Sequence, residues 1–304
     1  MWIARGLTSY PPERPASVLA LGTFDGVHLG HRAILGTAVA RARALDVSAV
    51  ACTFDPHPME VLQPGRAPAP ISTLDERLDL IDRTGVDGTL VIEFTLETAA
   101  IEPEAFVSDV LVGRLSAREV VVGFNHTFGR GARGNAELLA KLGERTGFRA
   151  HVVPPYTVAG VPVSSSAVRA ALAEGDVESA ASFLGRPYSI AGDVVRGAGR
   201  GRALGFPTAN VRSDRSVLVK PGVYVCDAEI GTATRHAVAN VGVRPTFGET
   251  ELAVEAYLLD FSADLYDRPL RLLFRRRLRD ERRFPSVDAL RAQILADVEE
   301  ARRR

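Results

Sequence analysis

At 304 residues the chain is long enough for two domains, and 46 % apolar with 24 % charged residues is the make-up of an ordinary globular protein. Lys+Arg and Asp+Glu balance at 37 each, which excludes a bulk field drawing the chain to nucleic acid or to a membrane. Apart from Lys141 and Lys220 the basic residues are arginines, so cationic phosphate binding is expected to fall mostly on guanidinium groups.

The amino terminus, "MWIARGLTSYPPERP", has no apolar core of signal-peptide length, and no later run reaches the roughly 18 apolar residues of a membrane span. Cys52 and Cys226 form no CxxC pair, which argues against a disulfide framework or zinc knuckle and for a reducing compartment. A soluble cytoplasmic protein is expected. Its oligomeric state is left open.

In chain order, "SVLALG" reads as a strand, Leu29 to Leu45 as a helix and "VSAVACTF" as the next strand. "TLDERLDLIDRTG" is a helix with Thr73 as N-cap, Glu76 in the capping-box place and Gly85 past its end. "GTLVIEF" (strand), "EPEAFVSDVLVGRL" (helix), "REVVVGF" (strand), "NAELLAKLGERTG" (helix) and "RAHVVPPY" (strand) complete the series. Alternation at this spacing predicts a doubly wound parallel sheet, Rossmann-like, with ligands beyond the carboxyl ends of its strands.

Two helical patterns run together from Ser164 to Pro187, and then the texture changes. "YSIAGDVV", "GVYVCDAEI", "RHAVANVGV", "LAVEAYLLDF" and "RPLRLLFRRRL" are short, β-rich and punctuated by Gly and Pro, which predicts an antiparallel barrel. A terminal helix follows, capped by Ser286, with Val287, Leu290, Ile294, Leu295 and Val298 as its apolar stripe. The boundary is placed near Gly185 to Pro187, giving domains 1–185 and 186–304.

The stretch "LGTFDGVHLGHRAIL" carries two of the chain's six histidines at the mouth of a helix. Gly22 and Gly26 allow a tight turn and close approach of a ligand, and free amides at a helix start favour an anion. His28 lies at that start and His31 one turn later on the same side. A zinc site would draw on Asp25, Asp55 and His57, though the spacing matches no zinc pattern. A purely structural pair is the other alternative. Phosphate handling is the reading on which glycines, helix start and imidazoles converge.

"GTFDGVHLGH" resembles the HxGH signature of nucleotidyltransferases. Together with "TFDPHP", "VVGFNHTFGRGARGN" and "VSSSAVR", in that order, it resembles the bacterial bifunctional riboflavin kinase/FMN adenylyltransferase (FAD synthetase) family, and the likeness runs through almost the whole chain. The resemblance implies ATP over the sheet's edge with its α-phosphate near His28 and His31, attacked by the phosphate of FMN to give FAD and pyrophosphate. Nucleotide and FMN binding would fall on Gly22, Phe24, Asp25, Gly26 and Asn125, and pyrophosphate binding on Ser164, Ser165, Ser166 and Arg169. Two departures stand out: Val161 and Pro162 where the family often has a basic residue, and His126 where phenylalanine is common.

In the second half, "RGAGRGRALGFPTANV" contains no Walker-type loop. Gly199, Gly201 and Gly205 allow a flap over the phosphates of ATP, while Thr208 and Asn210 offer neutral oxygens suited to Mg2+. "GFPTAN" resembles the riboflavin kinase signature. That resemblance implies Glu255 as the base for the ribityl 5′-hydroxyl of riboflavin, and flavin contacts from Thr246, Phe247, Arg279 and Phe284. A kinase with a degenerate adenylyltransferase is the alternative enzyme. A binding regulator that has lost chemistry would be marked by loss of His28, His31, Thr208, Asn210 or Glu255, and all five are present.

Overall fold

The computed structural model describes residues 1–10, 16–197, 201, 204–213, 218–245 and 250–303, without the side chains of 243–245, 250 and 251. Within it the chain forms two compact units, Met1–Ser165 and Ser166–Arg304.

The first unit is built on a six-stranded parallel sheet: β1 (Trp2–Arg5), β2 (Ser17–Leu21), β3 (Ser48–Asp55), β4 (Gly88–Glu93), β5 (Ala117–Gly123) and β6 (Arg149–Val153), in the order β1-β4-β3-β2-β5-β6. From β2 the chain winds outward to β3 and β4, then returns to lay β5 and β6 on the other side. The switch point of this doubly wound sheet therefore lies between the carboxyl ends of β2 and β5.

Both faces are covered, so the strands read as continuous apolar runs. Val18 and Ala20 pack on Leu35, Ala38 and Ala42 of α1 (Leu29–Leu45) and on Ile81 of α2 (Leu74–Asp82). Leu19 and Leu21 face Phe106, Leu111 and the Leu139 and Leu142 of α3 (Ala136–Thr146). The helix expected over 102–115 opens as one turn at Pro103–Ala105 and continues as a π-helix at Phe106–Arg114, closed by Leu115 N–H donating to the Val110 carbonyl at 2.9 Å.

The second unit begins with α4 (Ser165–Glu174), whose first residue falls in the first unit, and α5 (Val177–Leu184). A closed barrel follows: β7 (Ser189–Val195), β8 (Ala209–Arg212), β9 (Gly222–Ile230), β10 (Ala233–Pro245), β11 (Thr250–Leu258) and β12 (Pro269–Arg279), ordered β7-β8-β11-β10-β9-β12, every pairing antiparallel. The terminal helix α6 (Val287–Arg302), N-capped by the Ser286 hydroxyl, covers Val223, Val225 and Val238 with Val298 and Ala301.

Lys220 N–H donates to the Leu172 carbonyl at 3.0 Å and Gly175 abuts Tyr224 and Arg277, so α4 packs with the barrel. Two details differ from the sequence reading. Leu290 and Ile294 of the expected stripe line a cavity and Val298 is buried, but Val287 and Leu295 are 63 % and 50 % exposed. Leu295 sits about 100° around the helix from Ile294, and Val287 occupies the first turn. The other difference is in strand count. β1 and β8 are additional strands, each only four residues long.

Candidate functional sites

In the first unit the turn after β2 is held at several points. Gly26 has φ +75°, and a Cβ there would lie 2.8 Å from Ile71 Cγ2, so a tight left-handed turn against Ile71 requires glycine. Asp25 is 2 % exposed; its carboxylate accepts the backbone N–H groups of Ile71 at 3.0 Å and Ser72 at 3.1 Å. Ser72 Oγ in turn accepts Gly26 N–H at 3.0 Å. Phe24 is 0 % exposed. The side chains of Phe24 and Asp25, expected at the nucleotide or FMN site, pack into the framework of the turn, the ring by burial and the carboxylate through its backbone donors. Gly22 and Gly26 remain in the turn itself.

His28 is the N-cap of α1: its Nδ1 accepts the backbone N–H of His31 at 3.2 Å. That bond leaves the ring's proton on Nε2. The two imidazoles stack with centroids 3.6 Å apart, and Phe24 meets His31 edge-on at 5.3 Å. Burial, then the charges of His28 and Arg77, hold His31 well below the usual histidine range. It is neutral near pH 7, and its Nδ1 is buried without a hydrogen-bond partner among the described residues.

Other predicted residues converge here. Ser165 Oγ donates to the Asp25 carbonyl at 3.1 Å, and the Val163 carbonyl lies 3.5 Å from where a Cβ on Gly30 would stand. The serine-rich helix start, Ser164 included, is thus brought to the histidine turn. Ser166 and Arg169 follow on the same helix. Asn125 is exposed in the turn after β5, on the far side of the switch point. His126, in the same turn, stacks on Phe128 at 5.9 Å; its Nε2 is buried without a partner, and burial pushes its pKa down to about 4. Val161 and Pro162 lie exposed in a short hairpin with Thr157 and Val158.

The second site is a cavity of about 450 Å3 in the barrel unit, with Gly201, Phe206, Thr208, Asn240, Glu255 and Tyr257 on its barrel side. Glu255 and Tyr257 alternate with the buried Val254 and Ala256 along β11, as strand period requires. Glu255 stands in register between Asn210 of β8 and Asn240 of β10. Leu204 and Phe206 N–H groups both donate to the Gly201 carbonyl, at 3.1 and 2.9 Å, and a Cβ on Gly201 would run into the Phe206 carbonyl. This tight turn delivers Thr208 to the cavity wall. Gly205, at φ +88°, completes it.

Arg279 and Phe284 line the same cavity, with Leu290, Ile294 and Asp297 from α6. Arg279 is pinned by Asp297, its Nε and Nη2 donating at 3.1 and 2.8 Å, and its guanidinium lies over Phe284 at 5.7 Å. A second cavity of about 230 Å3 takes Thr208 as part of its lining too, with Pro207, Ala209, Leu265 and Tyr266. Gly199, Thr246 and Phe247 lie outside the described residues.

Sequence reasoning missed Phe206, Tyr257 and the lining from α6, which only barrel closure brings together. It also missed Arg77, although "LDERLDLI" signals it: Leu74, Arg77, Leu78 and Ile81 have the i, i+3, i+4, i+7 spacing of a buried stripe. Among the described residues no group of three or more His, Cys, Asp or Glu could hold a metal ion, so no zinc cluster surrounds the histidine pair.

An HxGH turn at the switch point of a doubly wound sheet is the architecture of a nucleotidyltransferase, here joined to a closed barrel with a carboxylate in its cavity. The FAD synthetase family model matches residues 11–167 and the riboflavin kinase family model residues 184–304. The bifunctional riboflavin kinase/FMN adenylyltransferase of Escherichia coli (strain K12) is 40 % identical over 99 % of this chain and 97 % of its own. That of Bacillus subtilis (strain 168) is 36 % identical over 95 % and 92 %. The chain belongs to this bifunctional enzyme family, with both catalytic domains present, and no comparison marks its adenylyltransferase half as degenerate.

A crystal structure of a protein named a macrolide-efflux protein, from Streptococcus pneumoniae, is 31 % identical and covers 100 % of both chains at a TM-score of 0.92. Efflux is said of that protein. Here no helix among the described residues is long and apolar enough to cross a membrane.

Proposed function

We propose that the chain makes FAD from riboflavin in the cytoplasm by two reactions at separate sites. In the barrel, riboflavin and ATP give FMN and ADP. On the parallel sheet, FMN and ATP give FAD and pyrophosphate. The observation that carries the first reaction is Glu255 in a cavity lined by aromatic rings, next to a second cavity that shares Thr208. The larger cavity takes the flavin between Phe206, Tyr257 and Phe284; the smaller takes the nucleoside of ATP, with the phosphates passing Thr208. Glu255 accepts the proton of the 5′-hydroxyl as its oxygen attacks the γ-phosphorus.

Thr208 and Asn210, beside Glu255 in register, offer neutral side-chain oxygens that fit Mg2+ rather than a softer metal. When bound, Mg2+ supplies charge neutralisation at the phosphates.

On the sheet, the FMN phosphate is already an anionic nucleophile, so positioning and charge stabilisation carry the rate. The His28 Nε2–H serves as a donor to the α-phosphate, whose charge grows as the new bond forms. Ser164, Ser165, Ser166 and Arg169, at a helix start, receive the departing pyrophosphate, and Asn125 contacts the phosphates from the other lip. Purified protein incubated with riboflavin, ATP and Mg2+ and resolved by chromatography should yield FMN and then FAD. Omitting Mg2+ should end both. FMN without FAD, at saturating ATP and FMN, would refute the second assignment.

A further inference from the structure

Arg77 projects from the buried face of α2 and is 5 % exposed, an unusual place for a guanidinium. Its Nη1 donates to the Phe54 carbonyl at 2.9 Å and to Thr53 Oγ1 at 3.4 Å, both at the carboxyl end of β3. Thr53 Oγ1 donates onward to the Thr23 carbonyl at 2.9 Å, in the turn that carries His28. One side chain thus ties α2 to the ends of the two central strands on one side of the switch point.

A second tie runs in parallel, from the Asp25 carboxylate to the N–H groups of Ile71 and Ser72 just before α2. The N-terminus of α2 is rigid in its own right, because Thr73 and Glu76 form a reciprocal capping box. Arg77 Nε and His31 Nδ1 are both buried without hydrogen-bond partners among the described residues.

The charged groups around the pair sort by element. His31 faces His28 from its own turn and Arg77 from α2. Arg77 in turn feels Asp25, Asp55 and Glu60, which favour its charge against burial. A guanidinium keeps that charge where a lysine would surrender it. A buried cation behind a neutral imidazole raises the local positive potential where phosphate charge develops, without a proton to lose.

We infer that Arg77 is a positioning residue of the adenylyl-transfer site: its grip on the end of β3, relayed through Thr53 to the Thr23 carbonyl, sets the histidine turn. This rests on the proposed role of the first unit.

The test uses the full chain, with FMN and ATP supplied, comparing Arg77→Met and Arg77→Lys. Arg77→Met should lower kcat for FAD formation roughly 10- to 100-fold, the scale of a small misplacement, with little change in KM. It should move the acid limb of the rate profile, and the His31 resonance followed by NMR, to higher pH. Arg77→Lys, which surrenders its charge at this depth, should leave the acid limb displaced as in Arg77→Met while restoring kcat only in part. FMN formation from riboflavin should be unchanged in both.

An unchanged kcat for FAD formation in folded Arg77→Met would overturn the inference, as would Arg77→Lys with full kcat. The latter variant decides the matter alone if the former does not fold. If the unaltered chain makes no FAD from FMN, the reading of the site fails instead.

Discussion

His28 and His31 lie face to face with ring centroids 3.6 Å apart, and the first ring caps the backbone N–H of the second at 3.2 Å. The cap and the chemistry are therefore separable. His28→Asn keeps an N-cap acceptor and loses the Nε2–H donor, so thermal stability should stay within a few degrees. FAD formation from FMN should fall about 10²-fold or more, the scale of losing one preorganised donor. His28→Ala with His31→Ala should abolish it while FMN accumulates from riboflavin. Chromatography of the products and a thermal melt check both halves.

Glu255→Gln keeps the shape of the side chain and removes the base. FMN formation should drop by roughly 10²- to 10⁴-fold, with FAD formation from supplied FMN unaltered. Measuring the two steps separately decides it; an unchanged kinase rate removes Glu255 from this role.

His126 gives a pH prediction with a definite sign. Its pKa in the folded chain is about 4, below the 6.5 of an unburied ring, so the unfolded chain binds the extra proton more readily. Its contribution is fully present above pH 6.5 and is lost as pH falls toward 4, amounting to about 3 kcal/mol across that window. His31, lowered in the same direction, adds to the loss. His126→Phe removes the titrating ring and its unpartnered Nε2, and urea titrations at pH 7 and pH 5 should then differ less than in the parent chain. At pH 7 the variant should be more stable by about 1–3 kcal/mol.

Gly201→Ala sets a methyl group against the Phe206 carbonyl and 3.1 Å from Thr208 Oγ1. The turn must open and carry Thr208 with it. Expected is an increase of about tenfold in the KM for ATP of the kinase step, a loss of roughly 1.4 kcal/mol of binding, with FAD formation from FMN unchanged. Initial rates at varied ATP report it.

Much of this was written locally in the chain. The histidine cap on α1, the capping box at Thr73 and the Ser286 cap depend on neighbours within four residues, and so were legible. Strand–helix alternation carried the parallel sheet, while the strand order that sets its switch point depends on distant pairings. What escaped depends on distant partners. β1 is four residues with Ile3 exposed, too short for a period to register. β8 hides behind the Gly and Pro of "GFPTANV" and becomes a strand only by pairing with β7 and β11. The glycine segment, Glu255, Arg279 and Phe284 were singled out one by one, and the cavity that unites them with Leu290, Ile294 and Asp297 exists only after the barrel closes and α6 folds onto it. The burial of Phe24 and Asp25 in the turn likewise depends on partners distant in the chain, Ile71 and Ser72 among them.

Closure of the barrel has a consequence for misfolding. All six of its strands are paired on both sides, so among the described residues the barrel offers no free strand edge to a stray chain. In the first unit Trp2–Arg5 and Arg149–Val153 each have a neighbour on one side only. Heat-induced aggregation of this enzyme should therefore start by strand addition at those two outer ribbons of the parallel sheet, and charges placed there are the economical way to suppress it.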